Sequence, residues 1–279
     1  MNVVNQKIEE YYALYQGDSC EVMKGLPDDS IHYTLFSPPF ASLYTYTNSD
    51  RDMGNSKTDA EFYQHFQYLI SELFRVTMPG RLLSFHCINV PMMRSRDGVI
   101  GLKDFRGELI RLFMGAGFIF HSEVCIWKDP LVEATRTHSL GLLHKQVMKD
   151  SAMCRQGIPD YVITMRKPGD NPEPIAHPNG FQRFFGEEEP DAEKGEREQP
   201  DPEKYKKHEK YNEKPIYSHQ VWRKYASPVW MDIRQSNTLT KNGARDEKDE
   251  RHICPCLLYT SKEMVIAMIV ILLMGLGGQ

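Results

Sequence analysis

The sequence contains no CxxC pair, no strong excess of either charge and no apolar run long enough to cross a bilayer. Its six cysteines, Cys20, Cys87, Cys125, Cys154, Cys254 and Cys256, sit in apolar or loop contexts. That usage points to reduced thiols in a cytoplasmic protein rather than to a disulfide scaffold. His252-x-Cys254-x-Cys256 has no second ligand pair at zinc-like spacing, so no metal site is expected. A formal net charge of −4 excludes a global basic footprint, and nucleic-acid binding must rest on a local patch. The longest apolar run, MVIAMIVILLMGLGG at 264–278, falls short of the roughly 20 residues a membrane-spanning helix needs. Met1 to Gln16 is polar and tyrosine-rich, without a secretory pattern, so neither export nor membrane attachment is expected. Apolar residues are nearly missing from GEEEPDAEKGEREQPDPEKYKKHEK at 186–210. This stretch cannot bury enough surface to fold alone, and residues 168–216 read as a polar, acidic, low-complexity insert.

What is present is an ordinary globular composition, 41% hydrophobic and 26% charged, over 279 residues, enough for one large core or two smaller ones. Residues 1–167 alternate strands and helices. Val22, Met23 and Leu26 mark a short helix, and Ile31 to Phe36 a strand. Tyr44 to Lys57 is a polar loop. Thr58-x-x-Glu61 fits a capping box ahead of a helix with Phe62, Phe66, Leu69, Ile70, Leu73 and Phe74 on one face. Pro79-Gly80 is expected to end that helix, with a buried strand from Arg81 to Ile88. Phe105, Leu109, Leu112 and Phe113 predict a further helix, and 118–127 and 161–166 predict strands. Such alternation argues for an α/β layered sheet, in which ligands sit at the carboxyl ends of strands.

One of those ends reads LFSPPFASLY, residues 35–44. Neither Pro38 nor Pro39 offers an N–H to a ladder, so Ser37-Pro38-Pro39-Phe40 is a stiff turn closing a buried strand. A turn of this composition suits one chemistry. The exocyclic amine of a nucleobase is a poor nucleophile, because its lone pair is delocalised into the ring. Acceptors aimed at the amine hydrogens draw the nitrogen towards a tetrahedral geometry. The Ser37 hydroxyl and the Pro38 carbonyl can supply two such acceptors, and Phe40 a flat face for an extruded base. The plainer readings are that Asp18 caps the helix after it, that Phe40 is core, and that His86, His121 and His144 are packing or surface residues rather than bases. Tyr44 and Tyr46 line a base pocket or merely decorate a loop.

The chain resembles the DNA amino-methyltransferases, which methylate cytosine N4 or adenine N6. The resemblance is carried by GDSCEVMKGLPDDSIHYTLFSPPF (17–40), PGRLLSFHCIN (79–89), FIFHSEVCIWKDP (118–130) and WMDIRQSNTLTKNGARDEKDERHICP (230–255). The order matches the circularly permuted, beta-type group, in which the catalytic half precedes the cofactor half. The resemblance implies a Rossmann-like sheet, S-adenosylmethionine as methyl donor and double-stranded DNA as partner, with a cognate restriction endonuclease as a further candidate. It places Ser37, Pro38, Pro39 and Phe40 at the catalytic turn, and Asp18, Ser236 and Asn237 at the cofactor. The basic residues Arg234, Lys241 and Arg245 of the later segment, 217–255, are assigned to DNA. Serine in the turn leans the target towards cytosine N4, with adenine N6 open. An RNA or protein-amide methyltransferase and a non-catalytic nucleic-acid-binding module are the alternatives.

After HICP the family continues through a helix to a glycine motif, whereas this chain reads CLLYTSKEMVIAMIVILLMGLGGQ. CLLYTS resembles a translated transposon-end sequence used in library preparation, so residues 256–279 are expected to be non-native. Met274-Gly-Leu-Gly-Gly278 mimics the glycine motif without a following helix. On this reading the cofactor half is incomplete, donor binding is weak or absent, and one sheet edge is left unpaired.

Overall fold

The computed structural model describes residues 3–10, 12–40, 52–174, 222 and 226–233, together with the backbone of 271–273. The chain divides into two compact units, Met1–Pro172 with Met231–Gln279, and Glu173–Trp230. In the second unit, the amide of Ala226 donates to the Trp222 carbonyl at 2.8 Å, and Val229–Trp230 is extended. Most of the expected insert lies outside the described residues.

The first unit is α/β, as its alternation predicts. A hairpin of β1 (Asn5–Ile8) and β2 (Ala13–Gln16) opens it, followed by α1 (Ser19–Met23) and β3 (Ile31–Phe36). Helix α2 (Asp59–Val76) leads directly into β4 (Thr77–Ile88). A small hairpin, β5 (Val90–Met92) and β6 (Gly101–Lys103), flanks the short α3 (Arg94–Asp97). Then come α4 (Phe105–Gly115), β7 (Ile119–Ile126), α5 (Pro130–Thr137) and β8 (Asp160–Arg166). Neither hairpin is anticipated by the pattern, because both are short and lack a clear apolar alternation.

The α2 start behaves as its capping box requires. Thr58 Oγ1 accepts from the Glu61 amide at 3.1 Å, while Glu61 Oε2 accepts from the Lys57 amide at 2.7 Å. Its end differs from expectation, for the helix stops at Val76 and Pro79-Gly80 belong to β4. Pro79 biases Met78 towards extended backbone, and the Thr77 hydroxyl caps the last turn by donating to the Leu73 carbonyl at 2.6 Å. Pro79 and Gly80 are absorbed where the β3–β4 register shifts between Ile31/Thr77 and Tyr33/Leu82. Gly80 has φ +72°, and a Cβ there would lie 2.7 Å from the Asn171 nitrogen, so the position requires glycine.

In the sheet, β3 lies parallel to β4, and β8 is antiparallel to both β4 and β7. The carboxyl ends of β3, β4 and β7 therefore meet the amino end of β8 at one edge. On the other side of β3, Ile271–Leu273 pairs antiparallel with Leu35 to Tyr33. The strand edge expected to be bare is thus paired over three residues. Phe62, Phe66, Leu69, Ile70 and Leu73 of α2 and Leu109 and Phe113 of α4 bury against Phe36, Leu83, Phe85 and Ile163 of the sheet. The core is built on stacked and tilted phenylalanine rings, with Phe85 and Phe113 4.9 Å apart. No described helix is long and apolar enough to cross a membrane.

Candidate functional site

Phe36 of β3 stands beside Phe85 of β4, and both rings pack on Phe113 of α4. Side chains alternate along a strand, so the residues that follow, Ser37 and His86, leave the opposite face at the carboxyl edge. His86 lies across from Val162 in β8, and Asp160, two residues away, shares its face. Asp160 is in register with both Ile88 and Ile126, the last residues of β4 and β7. Three strands thereby bring one polar chain together at the sheet edge.

Ser37 is 5% exposed. Its Oγ lies 3.3 Å from His86 Nδ1 and also 3.3 Å from the His86 carbonyl oxygen. His86 Nε2 lies 3.2 Å from Asp160 Oδ2, and Asp160 Oδ1 is ion-paired with Lys128, whose side chain is nearly buried. Burial pushes the Asp160 carboxyl up, but the His86 hydrogen bond and the Lys128 charge outweigh it and hold the group below its ordinary value.

These partners fix the proton positions. A carboxylate only accepts, so the imidazole nitrogen facing Asp160 carries the hydrogen. In the neutral ring Nδ1 then carries none. Both groups within reach of the Ser37 hydroxyl, Nδ1 and the His86 carbonyl, are acceptors. The hydroxyl hydrogen is consumed there, which leaves the oxygen lone pairs as the free function.

The Asp160 contribution has a defined pH window. Because its folded carboxyl is depressed, the stabilisation is complete above the unfolded value near ~3.9 and is lost as pH falls through the folded value. Asp160→Asn should cost about 2–3 kcal/mol at neutral pH, by leaving Lys128 without its counter-charge. It should also flatten the acid limb of stability in urea titrations between pH 5 and pH 2. An unchanged acid limb would show that Asp160 does not carry it.

Pro38 is buried, while Pro39 and Phe40 are half-buried. The Phe40 ring meets His86 at 6.4 Å and Phe105 at 6.2 Å, edge-on in both cases, and packs against the core cluster. It forms the junction between core and site. Asp18 caps α1, its Oδ1 accepting from the Cys20 amide at 2.9 Å and the Glu21 amide at 3.2 Å. Tyr44, Tyr46, Arg234, Ser236, Asn237, Lys241 and Arg245 lie outside the described residues. Among the described residues no group of three His, Cys, Asp or Glu side chains is placed to hold a metal.

His121 and His144 are exposed, in keeping with surface roles. His86, expected to be a packing or surface residue, is largely buried and meets Ser37 and Asp160. Lys128 and Asp160 carry no local motif in the sequence. The available signal was a histidine inside the apolar strand LLSFHCI and an aspartate opening DYVIT. Only the β4–β8 register shows that they meet.

No protein-family model matches this chain, and no curated protein matches it. Among solved structures, it is similar to a protein of Thermus thermophilus assigned by name as a DNA modification methylase and complexed with S-adenosyl-L-methionine. That similarity has 16% identity and a TM-score of 0.48, over 78% of this chain and 65% of that one. The cytosine-N4-specific PvuII DNA methyltransferase matches at 18% identity and a TM-score of 0.40, over 60% of this chain and 55% of that one. A SAM-dependent methyltransferase from Methanosarcina mazei matches at 14% identity and a TM-score of 0.28, over 52% of this chain and 63% of that one. The chain spans less than two thirds of the length of each of these proteins, and none of the likenesses reaches a TM-score of 0.5. DNA methyltransferases, the class that the SPPF turn resembles, are thus represented among the structures to which this chain is similar.

Proposed function

We propose that this chain is a DNA amino-methyltransferase. It transfers a methyl group from S-adenosylmethionine to the exocyclic amine of a base flipped out of double-stranded DNA, with cytosine N4 favoured over adenine N6. The observation that carries the reading is the Ser37 oxygen, buried at the carboxyl end of β3 and left as an acceptor by His86. An acceptor of this kind binds an amine hydrogen and discriminates against an exocyclic carbonyl oxygen at the same place. Pro38 and Pro39 hold the turn without backbone donors that would compete for the base. Phe40, at the mouth of the same edge, supplies the aromatic surface for the extruded ring.

Of the residues expected at the donor, only Asp18 is described, and its Oδ1 is committed to capping α1. Bound S-adenosylmethionine would supply an electrophilic methyl group. The part of this chain that the reading rests on is the holding and deprotonation of the amine. Arg234, Lys241 and Arg245 are assigned to the DNA backbone, where basic side chains neutralise phosphates.

The test is direct. The 279-residue chain is incubated with mixed-sequence duplex DNA and tritiated S-adenosylmethionine up to millimolar concentration, and the DNA is digested to nucleosides. Label in N4-methyldeoxycytidine is the expected result, and label in N6-methyldeoxyadenosine would keep the reading but move the base. DNA without label, from a chain that calorimetry shows to bind S-adenosylmethionine, overturns it.

A further inference from the structure

The site holds a base that the acceptor reading does not use. A serine hydroxyl can accept a hydrogen bond from an amine, but it is neutral and does not retain an extra proton. An alkylated amine nitrogen is positively charged and must release one. The proton needs a basic atom within one hydrogen bond of Ser37, and the structure provides one.

We infer that His86 is a positioning residue that, through Ser37, receives the proton released by the target amine, with Nδ1 as the accepting atom. This rests on the amino-methyltransferase reading and specifies where its proton goes. Three observations support it. Nδ1 lies 3.3 Å from Ser37 Oγ. Nε2 lies 3.2 Å from the Asp160 carboxylate, which keeps the ring hydrogen on that side and leaves Nδ1 unprotonated. The carboxylate is itself paired with Lys128, so it remains ionised and faces the imidazolium once that forms.

The step balances. The N–H bond of the cationic amine breaks with its electron pair returning to nitrogen, and the proton passes to Ser37 Oγ. The original Ser37 O–H bond breaks, and that proton passes to His86 Nδ1. The products are a neutral methylated amine, a neutral hydroxyl and an imidazolium against Asp160. Among the described residues, the ring meets Ser37 from the β3 turn, Asp160 from β8 with Lys128 behind it just past the end of β7, and the non-titrating edge of Phe40.

Two measurements test this. In protein labelled with 15N-histidine, the His86 ring should show the Nε2–H tautomer at neutral pH. A protonated Nδ1 in the neutral ring overturns the inference whether or not the chain is active. Kinetically, His86→Asn offers an oxygen where Nδ1 stood, so it can still accept the Ser37 hydroxyl but cannot take its proton. The expected result is a fall of about 10²-fold in kcat with little change in KM for DNA, within the range for a lost acid–base group. A variant that folds, as judged by its thermal midpoint, and keeps wild-type kcat overturns the inference. If a wild-type chain that binds S-adenosylmethionine labels no DNA, the function reading fails, while the tautomer still decides whether Nδ1 is the accepting atom.

Discussion

Ser37→Ala should reduce methyl transfer by about 10²–10³-fold, the scale seen when one preorganised polar partner of a reacting centre is removed. The substitution takes away the side-chain oxygen through which the turn is wired to His86. It leaves β3 and the two prolines in place, and the lost hydroxyl contact should cost about 1 kcal/mol of stability. Rate and thermal midpoint measured on one preparation separate these effects. A variant with a near-native midpoint and a near-native rate would remove Ser37 from the chemistry.

The largest expected effect on stability falls at Phe113. Its ring is fully buried, stacked on Phe85 at 4.9 Å, and in contact with Phe118 at 5.5 Å, Phe66 at 6.1 Å and Phe36 at 6.4 Å. Phe113→Ala should cost about 4 kcal/mol, from lost burial together with the cavity left among rings that cannot all move inward. Urea unfolding measures it, and a cost below about 1 kcal/mol would mean that the aromatic cluster closes over the gap. The lesion should also reach the site, because Phe36 and Phe85 immediately precede Ser37 and His86 in their strands. Reduced activity at temperatures well below unfolding is the accompanying expectation.

The amino-acid sequence determined the elements whose cause is local. Helix α2 follows from a capping box and a 3.6-residue apolar spacing, and β3 from an apolar run closed by two prolines. The identity of the turn, Ser37 to Phe40, was legible for the same reason, since its stiffness and its acceptor chemistry belong to the residues themselves. Helix α4 was equally legible from the spacing of Phe105, Leu109, Leu112 and Phe113.

The tertiary structure decided what depends on register. Pro79-Gly80 became part of β4 because the β3–β4 ladder tolerates a local irregularity there, which propensity alone does not reveal. Asp18 became a helix cap and Phe40 a link between core and site. The three-residue pairing at Leu35 to Tyr33 came from the far end of the sequence. Above all, His86 and Asp160 are distant in the chain, and nothing local distinguishes a packed histidine from one facing a carboxylate. A one-residue slip between β4 and β8 would turn their side chains to opposite faces. The observed pairing, Ile88 with Asp160, puts them together beside Ser37 at the proline turn.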